Sequence, residues 1–213
     1  MATKENFLSA LEKIRKTESE KHKKVKFEQT VDLIINLKEI DLRKTQITSI
    51  LTLPNKFRDR RVAAFLDKKS KIVDTITKPE FESFSSKSKT KRLLQEYDFF
   101  IASAKLMPAV ATSFGRALGP SGKMPSPQLG ILLNESDEEI EKMISKIDYI
   151  CRFRVKEPSI KVAIGREKLS DGEIAENAAT VYAGLFKQLP RGKDNVRSVL
   201  IKFTMGKPVK VVF

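Results

Sequence analysis

The chain has no tryptophan, one cysteine and one histidine in 213 residues. The lone Cys151 excludes a disulfide framework, and the lone His22 leaves no ligand set for a structural zinc. No apolar run approaches the roughly 18 residues of a membrane span. No basic, apolar and small-residue series opens the chain as a secretory signal would. A soluble, cytoplasmic protein is therefore expected. No nucleophile sits beside a base and no carboxylates gather around a histidine, so neither an enzyme nor a cofactor or metal is expected. Acidic residues are scarce: 27 Asp and Glu face 41 Lys and Arg, a net charge of +14. Such an excess favours nucleic acid or an anionic surface as partner.

The charge is uneven along the chain. Residues 61–149 hold 14 basic and 12 acidic side chains, while the remainder holds 27 and 15. A nearly neutral middle between basic ends suggests an inserted domain over 60–149, with 1–59 and 150–213 joined as a discontinuous outer domain. Phe7, Leu8, Leu11 and Ile14 mark one face of a first helix, which gives way to a charged run at 16–26. His22-Lys23-Lys24 in that run suits either a solubilising loop or a contact to a polyanion. Val31, Leu33, Ile35 and Leu37 alternate with Asp32, Ile34, Asn36 and Lys38, which predicts a strand with one packed face. A second strand is expected over 46–53, ended by Pro54-Asn55, followed by a polar connector at 56–61.

In the middle, 62–66 and 97–104 are short apolar runs of the kind found in strands covered on both faces. Helices are predicted over 89–96 and 106–118, and a short strand over 130–133. Ser136 to Glu139 has the capping-box pattern before a helix that buries Ile140, Met143, Ile144 and Ile147. The segment GRALGPSGKMPSPQLG at 115–130 reads as a rigid loop that packs against the other domain. Its Gly122-Lys123 lacks the earlier glycine of a phosphate-binding loop, where Ala117 stands, and the following hydroxyl, where Met124 stands.

After Cys151 the alternation returns at 151–156 and 160–164, and a second capping box, Ser170 to Glu173, opens a helix with Ile174, Ala178, Val181 and Leu185 on one side. The C-terminus is a predicted hairpin around Gly206-Lys207-Pro208, with Ser198, Lys202, Thr204 and Lys210 left near solvent. The fold class is α/β and α+β: a split outer α+β sandwich with an inserted Rossmann-like βαβ domain.

KFEQTVDLIINLK at 26–38, GRALGPSGKMPSP at 115–127 and IKFTMGKPVKV at 201–211, taken in this order, resemble the marked segments of one family. It is the universal large-subunit ribosomal stalk protein family, number one in the large-subunit series. The short chain, and TMGKP in the last segment, look like its archaeal and eukaryotic branch. The resemblance implies two domains joined by a hinge, the outer one gripping large-subunit rRNA at a mobile stalk beside the exit site for deacylated tRNA. It also implies that the protein can repress translation of its own mRNA, and that it is a monomer when free.

Carried over onto this chain, the RNA contacts are Lys26, Phe27, Thr30, Asp32, Ser198, Thr204, Met205 and Gly206, with Arg154 added. Gly119, Pro120, Gly122 and Pro125 form the hinge or interdomain loop. Hydroxyls of Thr30, Ser198 and Thr204 suit 2′-OH groups and base edges. Phe27 and Met205 offer apolar surface to a splayed base, and Lys26 and Arg154 neutralise phosphate. Asp32 suits only a 2′-OH or a base amino group. Every one of these also has an ordinary structural reading as a core residue, a strand former or a solvated charge. The segments 56–61 and 147–151 are expected to act as a two-strand hinge. The rival reading is a general, sequence-independent RNA binder; a helix–turn–helix DNA binder would carry its basic residues on a recognition helix instead.

Overall fold

A computed structural model describes residues 3–19, 25–40, 47–84, 86–127, 129–155 and 157–212. The basic run 22–24 lies outside the described residues, as does Gln46, the first residue of the expected second strand. The chain divides into two compact units, one of Met1–Arg58 with Tyr149–Phe213 and one of Asp59–Asp148. The first unit carries 26 basic and 14 acidic residues, the second 15 and 13, balances of +12 and +2.

In the discontinuous unit, β1 (Thr30–Leu37), β8 (Ser159–Arg166), β9 (Val196–Phe203) and β10 (Val209–Lys210) form an antiparallel sheet in the order β10-β9-β1-β8. Strict alternation places Val31, Leu33, Ile35, Val199, Ile201 and Phe203 on its buried face. They join one core with Phe7, Leu11 and Ile14 of α1 (Lys4–Ser19) and with Ile174, Ala178, Val181 and Leu185 of α5 (Asp171–Phe186). The Ser170–Glu173 capping box closes both of its hydrogen bonds and fixes the start of α5. A separate two-stranded sheet pairs β2 (Thr48–Thr52) with β7 (Ile150–Arg154). There α5 approaches so closely that a Cβ on Gly184 would stand 2.5 Å from Leu51 Cδ1 and would displace that side chain. Asn177, fully buried on α5, accepts from Asn55 N–H at 3.0 Å and donates to Asn55 O at 3.0 Å and Ile164 O at 2.9 Å. It thereby anchors the chain just before the polar connector.

The inserted unit is built on a parallel sheet, order β4-β3-β5-β6, from β3 (Val62–Phe65), β4 (Asp74–Ile76), β5 (Phe99–Ser103) and β6 (Ile131–Leu132). Every residue of β3 and β5 is buried, as strands sandwiched between helices must be. Phe65, Phe100 and Ala102 pack with Leu93 of α2 (Lys87–Glu96) and with Val110, Phe114 and Leu118 of α3 (Met107–Ser121). A 3-10 segment, Lys78–Phe84, adds Phe81 to that cluster, edge-on to Phe65 and Phe114. α4 (Asp137–Asp148) buries Ile140 and Ile147.

Two expectations are corrected here. Gly119 and Pro120 do not lie in a loop: α3 continues to Ser121, and only Gly122, in the left-handed region at φ 71°, and the residues after it are loop. The burial of Val110, Phe114 and Leu118 at four-residue spacing carries the helix past its glycines, which sit on the exposed side with nothing near their missing Cβ atoms. The chain passes between units at 58/59 and 148/149, remote in sequence from Gly119, Pro120, Gly122 and Pro125. Secondly, Glu139 does not close a capping box on Ser136 but accepts from Asn134 N–H and Nδ2, each at 3.3 Å. Lys123, already without the residues of a phosphate loop around it, donates through its ammonium to Leu94 O at 2.7 Å and Tyr97 O at 2.6 Å, capping the C-terminus of α2.

Candidate nucleic-acid interface

At one end of the four-stranded sheet, β1 and β9 finish together on a pair of threonines. Thr204 N–H donates to Thr30 O at 3.0 Å, and Thr30 N–H donates to Thr204 Oγ1 at 3.1 Å. The Thr204 hydroxyl in turn donates to Thr30 O at 3.2 Å. The hydroxyl thus completes the last rung of the ladder and keeps one lone pair for an outside donor. Beyond it the chain turns, closed by Gly206 N–H to Phe203 O at 2.9 Å.

Beneath the turn lies Gln29, only 3% exposed, whose Oε1 accepts from Met205 N–H at 3.1 Å. Its own N–H donates to Glu167 Oε2 at 3.3 Å, and its carbonyl accepts from Glu167 N–H at 2.9 Å. Glu28 beside it pairs with Arg166 Nη1 at 3.2 Å. The backbone of Met205 is therefore fixed from below, while its side chain is 64% exposed. Phe27, two residues before Gln29, is 53% exposed, and Lys26 is exposed too. Apolar side chains left in water cost hydration free energy that a stacked base would recover.

The open face of the sheet continues from this end. Asp32 stands opposite Lys202 in register, then Ile34 opposite Leu200, then Asn36 opposite Ser198. Burial pushes the Asp32 carboxyl above its ordinary value of 3.8, and the Lys202 charge pulls it back in part. The ionised form is thus disfavoured in the fold: the stability this group contributes is present below about pH 4 and lost as pH rises through its folded pKa. Asp32→Asn is accordingly expected to raise the thermal midpoint at pH 7, with the gain vanishing near pH 3.5. A lower midpoint at pH 7 contradicts this.

Asn36 bridges three strands, donating through Nδ2 to Ser198 Oγ at 2.9 Å and accepting at Oδ1 from Ser159 Oγ at 2.9 Å. Ser198 therefore sits apart from Thr204: six residues of strand separate them, about 20 Å at 3.3–3.4 Å per residue. Arg154 ends β7, in the two-stranded sheet, and is not brought onto this face by any strand pairing. The structure thus gathers Thr30, Thr204, Met205 and Gly206 at one end, with Lys26 and Phe27 leading into it. Asp32 lies one pleat inward and Ser198 at the far end. Gln29 and Glu167 escaped the sequence reading, whereas Lys202 was expected near solvent on the hairpin. Only the place of Gln29 inside KFEQT hinted at it, since its partners lie 138 and 176 residues away.

Among the described residues no group of three His, Cys, Asp or Glu is placed to hold a metal, and no helix is long and apolar enough to cross a membrane. The chain is mixed α/β, with a parallel-sheet unit inserted between the two segments of an antiparallel one. The model of the ribosomal protein L1p/L10e family matches residues 19–207. The chain belongs to that family, in its archaeal and eukaryotic type. It is 35% identical over 196 residues to the large ribosomal subunit protein uL1 of Thermococcus kodakarensis, covering 87% of this chain and 88% of that one. It is 36% identical over 200 residues to the uL1 of Nanoarchaeum equitans, covering 89% and 94%. The uL1 of Pyrococcus abyssi is 34% identical over 196 residues, 87% of each.

Proposed function

We propose that the protein is a ribosome-associated, cytoplasmic component of the large ribosomal subunit that binds stalk rRNA through the Thr30–Thr204 end of its four-stranded sheet. What carries this reading is Phe27 and Met205, both more than half exposed, Met205 on a turn whose backbone Gln29 fixes and Phe27 two residues before Gln29, in the unit of +12 charge. Phe27 and Met205 cover splayed bases, and Gly206 admits the backbone of the RNA closely. Thr204 accepts from a 2′-OH with its remaining lone pair, and Lys26 neutralises phosphate. Asp32 accepts from a 2′-OH, while Ser198 meets RNA that runs the length of the open face, and Arg154 adds charge from the neighbouring sheet. By the same surface the protein binds a mimic of that RNA in its own mRNA and represses its translation. From the stalk it assists the release of deacylated tRNA at the exit site. The connections at 58/59 and 148/149 act as a two-strand hinge.

Thr204→Val tests the site with a single atom. It removes the acceptor for Thr30 N–H and for RNA together, so affinity for the stalk rRNA fragment is expected to fall by about 1–3 kcal/mol. The thermal midpoint should move by only a few degrees, because the rung is exposed at the strand ends. Equal affinities of variant and wild type in a titration would contradict the proposal.

A further inference from the structure

The near-neutral charge of Asp59–Asp148 conceals an asymmetry. Residues 86–123, which hold α2, β5 and α3, carry seven Lys and Arg against two Asp and Glu. The rest of the unit carries eight against eleven, so the two parts stand at +5 and −3. α2 is also ordered against its own dipole. Its first turn holds no acid and its last no base, whereas α1, α4 and α5 all begin with acids. Lys89 stands in the first turn, at the positive end of the helix dipole, an arrangement that disfavours a helix. Local stability does not explain this order.

Between α2 and α3 runs a groove of about 760 Å³, lined by Thr90, Lys91 and Leu94 on one wall and by Thr112, Ser113 and Arg116 on the other. No acidic residue lines it. Lys91 and Arg116 are exposed and make no ion pair among the described residues. Thr90 and Thr112 spend their hydroxyl protons on Phe84 O at 2.7 Å and Pro108 O at 3.0 Å, which leaves the exposed Ser113 hydroxyl as the neutral donor. The groove has no aromatic residue to stack a base, and Leu94 is its only large apolar side chain. It therefore lacks the apolar anchors by which a helical peptide or a membrane surface would hold.

We infer that this groove receives the phosphodiester backbone of an RNA, with Lys91 and Arg116 meeting phosphates from opposite walls and Ser113 donating to a phosphate oxygen. The contact is independent of sequence, because nothing in the groove reads a base. The inference rests on the reading of the protein as an RNA binder but places a second contact in the other unit, with different chemistry.

The test uses the full chain with Lys91→Gln and Arg116→Gln combined, titrated against a random RNA duplex of about 20 base pairs between 50 and 200 mM salt. Losing two phosphate contacts should weaken binding by about 10-fold or more at 100 mM and lower the slope of log K against log salt by roughly 1.5–2. Lys91→Arg should bind as wild type. Unchanged affinity and slope in the double variant overturn the inference, as does an equal loss in Lys91→Arg or failure of the wild type to bind duplex. A larger loss toward polyglutamate or phosphatidylserine vesicles than toward duplex also overturns it. Failure of the sheet reading would show elsewhere, as undiminished binding of the stalk fragment by a Phe27→Ala, Met205→Ala variant.

Discussion

Replacing Asn177 with leucine is expected to lower the unfolding free energy of the discontinuous unit by about 3–5 kcal/mol, although the two side chains are nearly the same size. Asn177 is fully buried and satisfies three backbone groups at once, Asn55 N–H, Asn55 O and Ile164 O. Leucine adds apolar contact but strands all three, and each stranded group costs about 1–3 kcal/mol. The loss also frees the chain at Asn55, whose side chain otherwise reaches Glu176 Oε2 at 3.0 Å. Urea unfolding followed at this unit's transition measures the effect, and a change below about 1 kcal/mol would contradict it. A cavity explanation is excluded by the choice of leucine, so the measured cost reports hydrogen bonding.

Removing both exposed apolar side chains, by Phe27→Ala with Met205→Ala, is expected to weaken stalk rRNA binding by about 2–4 kcal/mol, roughly 30- to 1,000-fold. Stacking on one such side chain is worth about 1–3 kcal/mol per base. Stability should hardly change, since both groups are more than half exposed and bury little in the free protein. The Gln29–Met205 bond uses main-chain N–H and survives the substitution. The two readouts separate a binding role from a structural one. A fall in thermal midpoint matching the loss of affinity would assign these residues to the fold instead.

Much of the antiparallel unit was legible because alternation is forced where one face is covered. Val31 to Leu37 and Val199 to Phe203 bury every second residue against α1 and α5, and the sequence shows that period directly. β4 was not legible: three residues carry no period, and it is held by pairing with β3 and by Tyr97 OH donating to Asp74 Oδ2 at 2.9 Å. The end of α3 was hidden by glycine and proline, whose local preference lost to the burial of Leu118. Within the candidate site, the turn residues stood out by type, while Gln29 did not. A glutamine before a strand looks ordinary until Met205, distant in sequence, folds over it. Ser136 and Glu139 have the right pattern for a capping box, but Asn134 competes for the same carboxylate at close range.

On the proposed function, the Thr30–Thr204 end of the sheet recognises one RNA structure rather than any phosphate backbone. The direct measurement is a titration of the wild-type chain against the large-subunit stalk rRNA fragment, with tRNA and random duplex RNA as competitors, repeated at 50 and 200 mM salt. Specific recognition predicts that the fragment stays bound at the higher salt and resists both competitors. A fall of roughly 10³-fold or more across that range, with random duplex competing as well as the fragment itself, is what phosphate contacts alone would give, and it would contradict the account.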